Sequence, residues 1–98
     1  MTDYKITWSP NAKITYYKIL EYLDENWTEK ELNSFIQRTE QVIKYVSQNP
    51  LLYPYSKLSD TYRCVVVKQI SLFYRLKIDE IELLIFWDNR MNPAKLKL

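Results

Sequence analysis

The sequence predicts an α+β fold: one mainly antiparallel four-stranded sheet with a helical hairpin packed on one face, in the order β-α-α-β-β-β. Three observations carry this expectation. Apolar residues recur at three- and four-residue spacing in two stripes between residues 12 and 46, the period of a helix with one buried face. Three strand-like runs follow residue 61, broken only by short polar turns. A short alternating segment, Tyr4-Lys5-Ile6-Thr7-Trp8, precedes the helices as a half-buried strand. At 98 residues the whole chain, 1–98, is expected to form one domain.

Local chemistry marks each boundary. Ser9-Pro10 pairs a good N-cap with the residue favoured at the first helical position. Ala12, Tyr16, Ile19, Leu20, Leu23 and Trp27 then share one face, and Asn26 closes the helix. Thr28-Glu29-Lys30-Glu31 reads as a capping box: the Thr28 hydroxyl accepts from the third amide and Glu31 reaches back. The second stripe is Leu32, Phe35, Ile36, Thr39, Val42, Ile43 and Val46, and Asn49-Pro50 stops it. The short connection between the helices predicts antiparallel neighbours. Residues 51–60, with Pro54 inside, read as a loop. The strands are Tyr62 to Val67, Ile70 to Lys77 and Ile81 to Trp87, with Lys68-Gln69 forming a hairpin turn.

Composition excludes much chemistry. Glycine is absent, so phosphate-binding glycine loops and dinucleotide fingerprints are ruled out and turns must use Asn, Asp, Ser and Pro. Histidine is absent too, which removes Ser-His-Asp triads, Cys-His pairs and imidazole metal sites. The single cysteine, Cys64, excludes an internal disulfide and a multi-cysteine zinc site. No cofactor or metal is expected. A net charge of +2 is too small for a strongly basic nucleic-acid binder. No apolar run approaches the roughly 18 residues that a membrane helix needs, so a soluble cytoplasmic protein is expected.

The helical hairpin covers one face of the sheet, which leaves the other for partners. Ile70, Leu72, Tyr74 and Leu76 form the wholly apolar set of their strand and should meet the helices. Ser71, Phe73, Arg75 and Lys77 then point outward. With Arg63 outward as well, the open face carries Arg63, Val65, Val67, Phe73 and Arg75, a parity that needs a bulge or a three-residue loop near Lys68. Arginine mixed with exposed Val and Phe suggests a binding surface; the plainer alternative is that the arginines keep an open sheet soluble. Arg75 faces a possible cross-strand partner in Glu82. Arg90 stands in the turn after the last strand, where its guanidinium either reaches a partner or pairs with Asp88 or helix-end carbonyls.

Four stretches in register, "YKITWSPNAK", "QNPLLYP", "YRCVVVKQISLFYRL" and "FWDNRMNP", resemble the toxins of the RelE/ParE superfamily over essentially the whole chain. The resemblance implies a toxin of a bacterial type II toxin–antitoxin system that inhibits growth and is silenced in a hetero-oligomer with its antitoxin. Its branches differ in activity. RelE-like members cut mRNA at the ribosome with a cluster of basic residues and a C-terminal tyrosine or histidine. Here Arg63 and Arg90 match that pattern, but the other basic positions are Val65 and Ser71, and the C-terminal position is Leu96. The Tyr-Arg strand and the Arg-x-x-Pro tail look more like the ParE-like branch, which poisons DNA gyrase by binding. The resemblance therefore implies gyrase binding through Arg63, Val65, Phe73, Arg75 and Arg90, with an mRNA endonuclease using Arg63 and Arg90 as the alternative. A member that only binds its antitoxin is the third possibility.

Overall fold

A computed structural model describes residues 3–98. The elements are β1 (Lys5–Trp8), α1 (Pro10–Asn26), α2 (Glu29–Gln48), β2 (Tyr55–Ser56), β3 (Thr61–Val67), β4 (Ile70–Leu76) and β5 (Glu80–Asp88), with 3-10 turns at Pro50–Leu52 and Pro93–Lys95. Both helices begin where the capping chemistry puts them. The Ser9 hydroxyl accepts from the Ala12 amide at 3.0 Å. The Thr28 hydroxyl accepts from the Glu31 amide at 3.2 Å while Glu31 accepts from the Thr28 amide at 3.1 Å, which completes the capping box.

The sheet runs β1-β5-β4-β3-β2 and has five strands, one more than the sequence suggests. β1 pairs with β5 in parallel and the other pairings are antiparallel. The fifth strand, β2, lies inside the segment read as a loop. It pairs only Tyr55 with Tyr62 and Ser56 with Thr61, and two residues are too few to show a period in the sequence. The tight turn that follows places Asp60 at φ 54°, the left-handed region that glycine would otherwise occupy. Arg75 Nε donates to the Asp60 carbonyl at 3.2 Å and the Tyr55 hydroxyl to Asp60 Oδ1 at 2.7 Å, which hold this conformation.

Two bulges set which side chains share a face. In β3 the register passes from Val65 opposite Ser71 to Val67 opposite Ile70, so Val66 is the extra residue. In β5 it passes from Ile85 opposite Phe73 to Leu83 opposite Tyr74, so Leu84 is extra. The first bulge lies one residue earlier than a simple outward alternation requires. Val67 therefore falls in register with Ile70 and turns toward the helices, not onto the open face. The second bulge is used by the chain entry to α1: the Ser9 hydroxyl donates to the Leu84 carbonyl at 2.9 Å. Beyond the end of β1, the Thr15 hydroxyl accepts from the Phe86 amide at 2.9 Å, so α1 satisfies a β5 edge that no strand covers.

The core lies between the hairpin and the sheet and joins Ala12, Leu23, Phe35, Val42 and Val46 to Cys64, Val66, Leu72, Tyr74, Ile81, Leu83 and Phe86. Each large aliphatic side chain buried here contributes about 1.5–3 kcal/mol. Tyr74 is fully buried, and its hydroxyl donates to the Pro50 carbonyl at 2.6 Å, tying the turn after α2 to the middle of the sheet. Its ring stacks on Tyr62 with centroids 5.2 Å apart. Burial pushes the Tyr74 phenol above its usual range. Tyr74→Phe is expected to lower the unfolding free energy by about 1–3 kcal/mol by orphaning the Pro50 carbonyl. Urea denaturation measures this, with the m-value unchanged; wild-type stability would show that the hydroxyl contributes nothing.

Candidate functional site

The face of the sheet away from the helices carries Arg63 and Val65 from β3, Ser71, Phe73 and Arg75 from β4, and Ile85 and Trp87 from β5. Ile85 and Trp87 are only 9% and 8% exposed, so this face has a buried apolar floor of its own. Val65 is 50% exposed beside it. The Arg63 guanidinium lies 6.0 Å from the Phe73 ring centroid. Arg63 Nε donates to Ser71 Oγ at 3.1 Å, and its Nη2 donates to Asn89 Oδ1 at 3.1 Å. Ser71 Oγ in turn donates to the same Asn89 oxygen at 2.9 Å. Among the described residues Arg63 has no carboxylate partner.

Arg75 and Arg90, the other two arginines expected at the site, are committed locally. Arg75 Nη2 donates to the Ser59 carbonyl at 3.0 Å, and its Nε lies 3.9 Å from an Asp60 carboxylate oxygen. Glu82 is its cross-strand neighbour but pairs with Lys77 at 3.6 Å. Register thus put the right residues opposite each other, while the neighbouring turn captured the guanidinium. Arg90 grips Asp88 with two side-chain donors, Nε to Oδ1 at 3.0 Å and Nη2 to Oδ2 at 2.7 Å, and its amide donates to Oδ1 at 2.9 Å. Asp88 stands opposite Ile70 on the helix side. Arg63 and Arg90 therefore lie on opposite faces of the sheet and do not form one cluster.

Arg90 instead sits at the mouth of a cavity of about 280 Å³ lined by Ile19, Tyr22, Leu23, Trp27, Phe35 and Met91, among others. The cavity continues along the seam of α2 and β3 through Trp27, Phe35 and Val67 to Arg38, and from Arg38 to Tyr45 and Tyr53. Four cations, Lys18, Lys30, Arg38 and Arg90, line this trough against two carboxylates, Glu31 and Asp88. Arg38 Nε donates to the Val66 carbonyl at 3.1 Å, so it lies across the free edge that the bulge creates. Sequence reasoning looked for the target on the open face and did not locate this trough beside the helices. The apolar stripe of α2 gave no sign that its edge would stay uncovered.

Burial and Cys64 push the Tyr53 phenol up to about 12, and burial also raises the Cys64 thiol. Cys64 is therefore a protonated core residue and not a nucleophile. Among the described residues no group of three or more His, Cys, Asp or Glu is placed to hold a metal ion, and no helix is long and apolar enough to cross a membrane.

The Arg90 hydrogen bonds hold the Asp88 carboxyl below its ordinary value of 3.8, partly opposed by desolvation. A depressed carboxylate stabilises the fold above its unfolded pKa, and that contribution disappears as pH falls through the folded value. The Asp88 carboxyl resonance is expected to titrate below 3.8, and Arg90→Ala to move its midpoint upward. An unchanged midpoint in the variant would show that the ion pair is not formed in solution.

No protein-family model and no curated protein matches the sequence. Solved structures do match the fold. A chain of the chromosomal ParDE TA system from P. aeruginosa aligns with TM-score 0.73 at 15% identity, over 87% of this chain and 95% of that one. HP0894 from Helicobacter pylori aligns with TM-score 0.58 at 18% identity, over 89% and 96%. A chain of the heterotetrameric YoeB-YefM toxin-antitoxin complex from Staphylococcus aureus aligns with TM-score 0.54 at 19% identity, over 86% and 94%. Two helices on one face of a mixed sheet, with β1 parallel to β5, give this chain the fold of those solved chains.

Proposed function

We propose that this protein is the toxin of a type II toxin–antitoxin pair, and that it inhibits growth by binding DNA gyrase with its open sheet face. One observation carries the choice of binding over cutting. Arg63 is an unneutralised cation flanked by Val65 and Phe73, and its side-chain partners, Ser71 and Asn89, do not ionise near neutral pH. Cleavage of RNA by its own 2′-hydroxyl needs a base for that hydroxyl and an acid for the leaving oxygen as well as positive charge. Arg63 supplies charge alone, and Arg90, the second residue of the nuclease alternative, faces the other side of the sheet. A target that brings its own chemistry asks only for a surface.

The antitoxin is assigned to the α2–β3 trough. Its apolar floor of Trp27, Phe35 and Val67 and its excess of cations suit an acidic segment with apolar anchors. The fold match to ParDE and YoeB-YefM chains supports such a partner.

The test is induction of the protein alone in a bacterial host, with labelled thymidine and labelled amino-acid uptake followed over the first minutes. Thymidine uptake is expected to fall first, and purified gyrase to accumulate cleaved plasmid. Arg63→Ala is expected to weaken the gyrase effect roughly 30-fold, the loss of a hot spot worth about 2 kcal/mol. Arg90→Ala is expected to cost much less. Earlier loss of amino-acid uptake would overturn the gyrase assignment in favour of the mRNA endonuclease. Growth unaffected by soluble protein would leave a fold that only binds an antitoxin.

A further inference from the structure

Asn89 and Ser71 have no role in the reading above beyond being neutral, yet the structure spends considerable order on them. Ser71 is fully buried although it belongs to the open face. Its hydroxyl accepts from Arg63 and donates to Asn89, so its proton has one direction. Asn89 Oδ1 accepts from both Ser71 and Arg63. The side-chain amide cannot turn over without loss, because Oδ1 holds these two acceptor bonds and Nδ2 donates to the Lys68 carbonyl at 3.4 Å, while the backbone amide, donating to the Gln69 carbonyl at 2.7 Å, anchors the residue. Residues from three strand ends thus fix one guanidinium. A guanidinium has five N–H donors. The clip uses Nε and one donor of Nη2, which leaves both Nη1 donors and the second Nη2 donor free.

We propose that Ser71 and Asn89 are positioning residues that hold Arg63 charged and aimed, and that its ligand is a carboxylate on a protein partner with an apolar group beside it. The proposal rests on the target-binding reading of the open face. The remaining charges on that face decide the chemistry. Arg75 is spent on Ser59 and Asp60, and Lys77 pairs with Glu82, so no row of free cations runs along the strands. Lys68 in the adjoining turn adds one more cation. A nucleic-acid backbone is bound by many such charges in series. A single clamped arginine between Val65 and Phe73 matches instead one carboxylate at the centre of a partly apolar protein interface.

Asn89→Asp tests this directly. The change is nearly isosteric and keeps both acceptor bonds, giving up only the 3.4 Å donation to Lys68. It adds a carboxylate that neutralises Arg63 from within. If Arg63 must be free to meet an external carboxylate, the variant keeps its amide NMR spectrum and loses gyrase binding as Arg63→Ala does, roughly 30-fold. Arg63→Ala combined with Asn89→Asp is then no worse than Arg63→Ala alone. Were the cluster only a brace between strands, Asn89→Asp would be tolerated; full binding by that variant overturns the proposal. A second measurement does not involve gyrase. Acetate is titrated into the labelled protein while the Arg63 Nε–H resonance is followed, and a twelve-nucleotide oligothymidylate is titrated in parallel. Acetate is expected to move the resonance in the wild type and not in Asn89→Asp. Saturable movement by the oligonucleotide alone, or by neither probe, overturns the proposal. If acetate behaves as expected while wild-type protein fails to bind gyrase, the gyrase reading falls and the carboxylate-binding face stands.

Discussion

The extra residue at Val66 is the constraint on which the rest of the molecule depends. Side chains alternate across a pleated strand, so one inserted residue reverses every assignment beyond it. Before the bulge, Arg63 and Val65 point away from the helices. After it, Val67 joins Ile70 on the helix side. The same residue supplies the carbonyl that accepts from Arg38, because a bulged peptide leaves the regular ladder. One insertion therefore defines both the open face with its arginine and the edge of the trough on the other side.

Helix boundaries were legible because capping is local chemistry. Ser9, Thr28 with Glu31, and Asn49-Pro50 act within one turn, and the hydrogen bonds that they predict are present. Strand order from β3 to β5 was legible for the same reason, since short polar turns leave only hairpins. Less was legible where the outcome depended on distant partners. β2 has too few residues to carry a pattern, and it exists because Thr61 and Tyr62 offer it an edge. The need for a bulge near Lys68 followed from parity, but its position at Val66 did not, which is why Val67 was placed on the wrong face. The bulge at Leu84 depends on the Ser9 hydroxyl, 75 residues away in sequence.

The arginines show the same division. Arg90 and Asp88 are two residues apart, so their pairing is within reach of sequence reasoning. Arg75 was matched with Glu82 by register, yet the Asp60 turn took it, because Asp60 occupies a left-handed conformation whose carbonyl and carboxylate both face Arg75. Arg63 has long-range partners, and nothing local announces them. Ser71 looked from sequence like a missing cation of the nuclease pattern. In the fold it orients the remaining cation, a role available to a hydroxyl and closed to a lysine at that buried position.

The arginine turn after the final strand then has a physical account. Asp88, Asn89 and Arg90 leave a strand whose side chains have been alternating between two faces. Asp88 turns to the helix side and ties Arg90 down at the mouth of the trough. Asn89 turns to the open side and holds Arg63 without neutralising it. The charged residue of the pair is spent on a charged residue, and the neutral one leaves its arginine's charge intact. On the open face Arg75 is compensated by Asp60 and Lys77 by Glu82, so among the described residues Arg63 is left as the unpaired cation of β3 and β4. The turn enforces that asymmetry on both faces with adjacent residues, and it directs the unspent charge to the side of the sheet that the helices leave open.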